Sequence, residues 1–136
     1  MKQNELNKII ENHQHYLNED IDGWESMRAD LSYKNLSGLD LRNVNLYRVN
    51  LRNANLRSAD LRKANLRKAD LRKAALRNAN LRNADLRNAD FRKANLINAD
   101  LRKAALRNAD LAYADLREAD LIDANLSNTD LREANL

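Results

Sequence analysis

Ala54-Asn55-Leu56-Arg57-Ser58 runs without a gap into Ala59-Asp60-Leu61-Arg62-Lys63, and the same phrase returns at Ala84-Asp85-Leu86-Arg87-Asn88. Working outward from these copies, the phrase extends from Ala29 to Leu136. A short fixed period decides an architecture before local propensities do. With the central apolar residue called i, there are 22 centres, every fifth residue from Leu31 to Leu136, and all are Leu except Phe91. Position i−2 is Ala in 17 of the 22, the exceptions being Lys34, Leu39, Val44, Val49 and Thr129. Position i−1 is Asp or Asn except at Ala75 and Ala105.

A period of five suits neither ordinary element. On an α-helix five residues advance about 500°, so successive Leu side chains would sit about 140° apart and scatter around the axis. In a flat strand an odd step would flip each Leu to the opposite face. The pattern becomes consistent if the chain bends once per repeat. Then i−2 and i point inward, i−1 and i+1 point outward, and i+2 turns the corner. The product is a coil lined with Ala and Leu, stacked on its neighbours at about 4.7–4.9 Å.

The phrase Ala-(Asp/Asn)-Leu-x-x resembles the pentapeptide repeat family, and the resemblance covers residues 29–136. It implies an all-β solenoid, a right-handed quadrilateral parallel β-helix with four repeats per coil, or about five and a half coils here. Family members often carry Gly at i+2, whereas this chain does so only at Gly38 and most often uses Asn, as at Asn43, Asn78 and Asn108. Type II turns need φ > 0 at their second central residue, which Gly and then Asn tolerate best. Type II turns are therefore expected at many Asn corners, and less regular turns at some Lys, Glu and Tyr corners.

Residues 4–18 carry a different period. Leu6, Ile9, Ile10, His13 and Leu17 fall at helical spacing, with Asn4 as the expected N-cap and Glu5 in the first turn. Asn18 to Gly23 reads as the exit loop. A solenoid end exposes apolar side chains and unpaired backbone groups. Residues 1–28 are therefore read as a helical cap, with Leu6, Ile10, Leu17 and Trp24 against the first coil. With no Cys, disulfides and thiolate zinc sites are excluded. No run of 18 apolar residues suggests a membrane span, and the start does not resemble a signal peptide. A soluble, cytoplasmic protein is expected.

With four repeats per coil, the outward positions sort into four faces. Face one (centres 31, 51, 71, 91, 111 and 131) carries six positive and six negative charges. Faces two and three are close to balance. Face four (centres 46, 66, 86, 106 and 126) carries Arg48, Arg67, Lys68, Arg87 and Arg107 against Asp85 alone. This stripe is the candidate partner surface, suited to phosphates or to an acidic protein. The plainer reading is a solvated face, since Arg fills i+1 on every side. The stripe has no interleaved aromatic residues, so nucleic acid is not the expected ligand. On faces one and three, Asp at i−1 and Arg at i+1 predict a network of surface ion pairs that also keeps the sheets soluble.

His13 and His15 have no acidic cluster at ligand spacing and are read as surface or cap-packing residues, not metal ligands. Tyr47, Tyr113 and Ile97 are read as isolated outer residues. No nucleophile–base pair, P-loop or dinucleotide fingerprint is present. The chain is expected to be non-catalytic and without a cofactor: a structural or protein-interaction solenoid whose partner the sequence does not identify. The resemblance also implies an alternative, because some family members inhibit or protect DNA gyrase by imitating a duplex in shape and negative charge. The net positive exterior speaks against that alternative. A last expectation concerns assembly. Thr129, Leu131, Ala134 and Leu136 would end an apolar shaft, and a homodimer through the C-terminal coil would cover it. Against this, so slim an end is small beside the roughly 1,200–2,000 Å² of usual specific interfaces.

Overall fold

The computed structural model describes residues 1–19 and 22–136. Parallel bridges join each i−1 residue to the one twenty residues later, from Asp30 with Asn50 through Asp115 with Asn135. One coil is therefore four repeats long, as expected. The expected β-structure takes a sparse form: among the described residues every bridge is isolated, with no continuous strand. The reason is local. Each five-residue side gives its i to i+3 segment to a turn, which leaves only the i−1 residue in bridge geometry.

Through the middle coils, the backbone N–H groups of a repeat with Asp or Asn at i−1 all find acceptors, and this explains the phrase. The i and i+2 N–H groups donate to the following coil, as in Leu56 N to Ala75 O at 2.7 Å and Ser58 N to Arg77 O at 3.0 Å. The i−1 N–H donates to the preceding coil, as in Asn55 N to Lys34 O at 2.9 Å. The i−2 N–H closes the turn, as in Ala59 N to Leu56 O at 3.1 Å. The i+1 N–H remains, and it donates to the side chain of i−1, as in Arg57 N to Asn55 Oδ1 at 3.2 Å and Arg102 N to Asp100 Oδ1 at 3.1 Å. A short side-chain acceptor two residues back is needed there, and only Asp and Asn supply it at that reach. Inside, the Leu columns and Phe91 are fully buried through the middle coils, with the Ala residues between them at 1% exposure or less.

The corners depart from expectation. Every i+2 residue from Tyr33 to Glu133 has positive φ, including Lys63 (59°), Glu118 (58°) and Tyr113 (62°) as well as Asn78 (60°). The i+1 residues are absent from that set, so the turns have the type II signature throughout. The irregular Lys, Glu and Tyr corners do not occur. Inter-coil bonds on both sides of each corner fix its geometry, so the local preference of the corner residue is overridden.

Helix α1 spans Gln3–Asn18 and a 3₁₀ turn spans Trp24–Met27. The N-cap is Lys2, not Asn4; Glu5 Oε2 accepts the Lys2 N–H at 3.0 Å, which starts the helix two residues earlier than Asn4 would. Leu6 is fully buried, and Ile9, Ile10, Leu39 and Val44 pack against the same core. Leu17 is half-buried. The expected Trp24 contact and the middle of the expected exit loop, Asp20 and Ile21, lie outside the described residues. Polar side chains of α1 replace a missing coil. The Gln3 amide donates to Asp40 O and accepts from Asp40 N, both at 2.9 Å, the two bonds that a preceding repeat would make.

Candidate functional site: the basic column of face four

Tyr47, Arg67, Arg87 and Arg107 occupy i+1 on successive coils, with Arg48 and Lys68 at the adjoining corners, so all five predicted site residues share one face. What each guanidinium does depends on the residue two places before it. Where Asp stands at i−1 on faces one and three it grips the Arg at both ends, whereas Arg52 and Arg82 follow Asn50 and Asn80 and, among the described residues, form no ion pair. Arg102 donates from Nε to Asp100 Oδ1 at 2.8 Å and from NH2 to Asp100 Oδ2 at 2.6 Å. It also lies 3.6 Å from Asp120 on the next coil. Pairs of this kind recur at Asp40–Arg42, Asp60–Arg62, Asp70–Arg72, Asp90–Arg92 and Asp130–Arg132. Side-chain hydrogen bonds from Arg72 hold the Asp70 carboxyl below the usual carboxylate range.

Face four repeats that arrangement once. Arg87 donates to Asp85 at 2.8 and 2.6 Å. Burial pushes the Asp85 carboxyl up, and the hydrogen bonds from the Arg87 side chain and backbone outweigh it. Arg67 follows Asn65, whose Oδ1 takes the Arg67 N–H at 3.2 Å and whose Nδ2 donates to Asn45 Oδ1 at 2.9 Å. No carboxylate is left for its guanidinium, and Arg67 Nε is enclosed without a hydrogen-bond partner among the described residues. Arg107 follows Ala105, which offers no acceptor at all. Among the described residues, neither Arg67 nor Arg107 has a carboxylate within ion-pair distance. The face therefore keeps two uncompensated guanidiniums on either side of a compensated one.

Two features escaped the sequence reading. Tyr47 is not isolated: Arg48 lies 5.3 Å and Lys68 5.9 Å from its ring centroid, so it heads the basic column as a cation–π platform. Its twenty-residue spacing from Arg67 carries that signal. Face one, balanced in sum, is polarised across its width. Its Asp column lies at one edge, and a groove of about 240 Å³ lined by Arg52, Arg72, Lys73, Arg92, Lys93 and Tyr113 lies at the other. A net charge per face hides such a division. Among the described residues no group of His, Asp and Glu is placed to hold a metal ion. None of the described helices is long and apolar enough to cross a membrane.

This solenoid is a run of pentapeptide repeats. The family model described as "Pentapeptide repeats" matches with 8 copies over residues 27–62, 35–72, 69–106 and 99–136. The chain belongs to that family. Among solved structures it is similar to the pentapeptide repeat protein Rfr23 from the cyanobacterium Cyanothece 51142, with TM-score 0.68 and 28% identity over 88% of this chain and 98% of that one. It is also similar to a pentapeptide repeat protein of the Arabidopsis thaliana thylakoid lumen, with TM-score 0.49 and 32% identity over 77% of this chain and 70% of that one. A third is HetL from Nostoc sp. strain PCC 7120, described as involved in heterocyst differentiation regulation, with TM-score 0.41 and 32% identity over 80% and 70% of the two chains. Comparison with curated proteins finds no match.

Proposed function

We propose that this chain is a non-catalytic cytoplasmic scaffold that presents face four to an acidic protein partner. The observation that carries the reading is the contrast in pairing. On faces one and three six of the eight i+1 arginines are held by their own Asp residues, Arg52 and Arg82 being the exceptions, while on face four only Arg87 of three is held and Arg67 and Arg107 have no such partner. An uncompensated like-charged column is mildly unfavourable in the free protein, and a partner carboxylate removes that penalty. Arg also offers bidentate geometry to carboxylates. The same pairing weighs against a duplex mimic, because the carboxylates a mimic would display are engaged by Arg42, Arg62, Arg72, Arg92 and Arg102.

The test is affinity capture from the source cell with the wild type and with Arg67→Gln/Arg87→Gln/Arg107→Gln. Loss of a specific acidic protein in the triple variant, with unchanged thermal unfolding, supports the reading. Equal capture by both proteins overturns it. The reading extends to self-association. In the coil of residues 121–136, Leu136 is 73% exposed, and a second copy would cover it by a two-fold contact. Two identical edges would meet with two N–H groups to each carbonyl, so this contact would rest chiefly on Leu131 and Leu136. Sedimentation at high micromolar protein that shows only monomer would remove the dimer.

A further inference from the structure

His13 is the one polar side chain buried among the described residues, with 0% exposure. It sits where α1 meets the first coil. Its Nδ1 accepts the Ala29 N–H at 3.1 Å, so Nδ1 carries no proton. Its Nε2 lies 3.0 Å from Tyr47 O, a carbonyl that can only accept. The ring is therefore neutral, with its proton on Nε2. In the regular part of the solenoid a backbone N–H of the preceding coil fills the Tyr47 carbonyl, as Asn43 N does for Arg62 O at 3.0 Å. His13 thus replaces a coil bond on one side and holds the chain entering the repeats on the other.

A second proton on this ring has only one place to go, and there it meets the Ala29 N–H donor to donor. Among the described residues no carboxylate contributes to compensating the charge. On α1 the Tyr16 ring stacks on His13 with centroids 5.5 Å apart. From the cap exit, Arg28 contributes positive charge. From the first coil comes Tyr47, with Arg48 and Lys68 over its ring. We infer that His13 is an acid-sensitive latch: protonation at Nδ1 breaks the Ala29 contact and releases α1 from the first coil. Release would uncover the Tyr47 carbonyl and, with the departure of Gln3, the Asp40 N–H and C=O. Those groups form a backbone edge able to pair with an extended segment.

Burial lowers the His13 pKa below its ordinary value and Arg28 adds to this, against the opposing bond to Tyr47. The released form therefore takes up the proton first. Closure is complete above about pH 6.5 and is lost as pH falls through the lowered value. Across that window the opening equilibrium rises about tenfold per pH unit. A detached α1 does not persist as a helix, since its 16 residues are close to the length at which isolated helices become marginal in water.

The experiment follows the helical circular-dichroism signal of the full chain from neutral pH down to about pH 4.5, a range that histidine titration spans. The wild type is expected to lose helical signal while the solenoid keeps its cooperative thermal transition. His15→Gln should lose it in the same way. His13→Gln, which offers an acceptor and a donor but cannot titrate, should hold its signal flat. Retention of the wild-type signal to the end of the range overturns the latch, as does an equal loss in His13→Gln. If His13→Gln fails to hold α1 at any pH, imidazole NMR and α1 amide exchange on the wild type decide the matter. Protection lost at the ring's own midpoint supports the latch, and protection that survives ring protonation overturns it.

Discussion

Arg87 and Arg107 stand one coil apart in the same column, yet only Arg87 has a carboxylate of its own. The same split differs in degree between faces. Along faces one and three most arginines are bonded to their own Asp, with Arg52 and Arg82 behind Asn instead, and four of the pairs also reach the next coil, as Arg92 reaches Asp110 at 3.5 Å. Along face four the same Arg column stands over Asn65, Asp85 and Ala105. Because the i−1 side chain already serves the i+1 N–H, Asn and Asp are interchangeable for the turn but not for the charge. The fold is therefore indifferent to a choice that decides whether an arginine is engaged within the chain or left available to a partner.

The largest effect on this comparison comes from breaking register. One Ala inserted between Asn83 and Ala84 displaces every later centre, beginning with Leu86 and Phe91, and should cost more than about 5 kcal/mol or abolish the single thermal transition. Inserting a whole five-residue copy at the same place keeps the Leu column inside but turns later repeats by one side. Arg87 and Arg107 then leave the column of Arg67. Thermal unfolding should stay near wild type while partner capture falls at least about tenfold, the weight of one charged contact of roughly 1.4 kcal/mol. Equal unfolding midpoints for the two insertions would contradict the coil.

Ala105→Asp gives Arg107 the partner that Arg87 already has, and gives its N–H an acceptor. Stability should rise by up to about 1 kcal/mol, discounted because such pairs are exposed, while capture weakens severalfold. Parallel movement of the two quantities would break the link between pairing and binding. Asp85→Asn is the converse: the amide keeps its oxygen for the Arg87 N–H but releases the guanidinium. Capture should strengthen by about two- to threefold, with a shift in unfolding of a degree or two. The smallest effect is on acid stability. The Asp70 carboxyl is held low in the folded chain, chiefly by Arg72, so the unfolded chain takes protons first. That contribution is present above about pH 4 and fades as pH falls through the lowered value. Asp70→Asn should flatten the acid limb of the stability profile, and Arg67→Gln should leave it unchanged.

Much of this was legible in the five-residue phrase. The inward placement of Leu and Ala, the outward Asp and Arg, and the N-terminal cap all follow from periodicity and burial. The corners were not, because propensity ranks Lys and Tyr poorly at positive φ while the ladder on either side of Lys63 or Tyr113 fixes the backbone. The charge excess on face four was legible as well. That the excess resides at Arg67 and Arg107 depends on hydrogen bonds to Asp85 and Asn65, which a net count does not contain. His13 looked like a surface or cap residue because its two partners, Ala29 and Tyr47, are backbone groups with no mark in the sequence.

The direction of the inter-coil bonds gives the solenoid an electrical polarity. In each repeat two N–H groups point to the following coil and one to the preceding coil, as Leu76 and Asn78 do against Ala75. Ordinary sheets cancel their peptide dipoles; here one in three remains uncancelled. The rod therefore carries a macrodipole along its axis, its carbonyl-rich end at the first coil and its amide-rich end at the last. The Met1 ammonium, 3.0 Å from Asn35 O, rests at the negative pole. An electric-field measurement on the isolated chain should orient it along the coil axis with that sign.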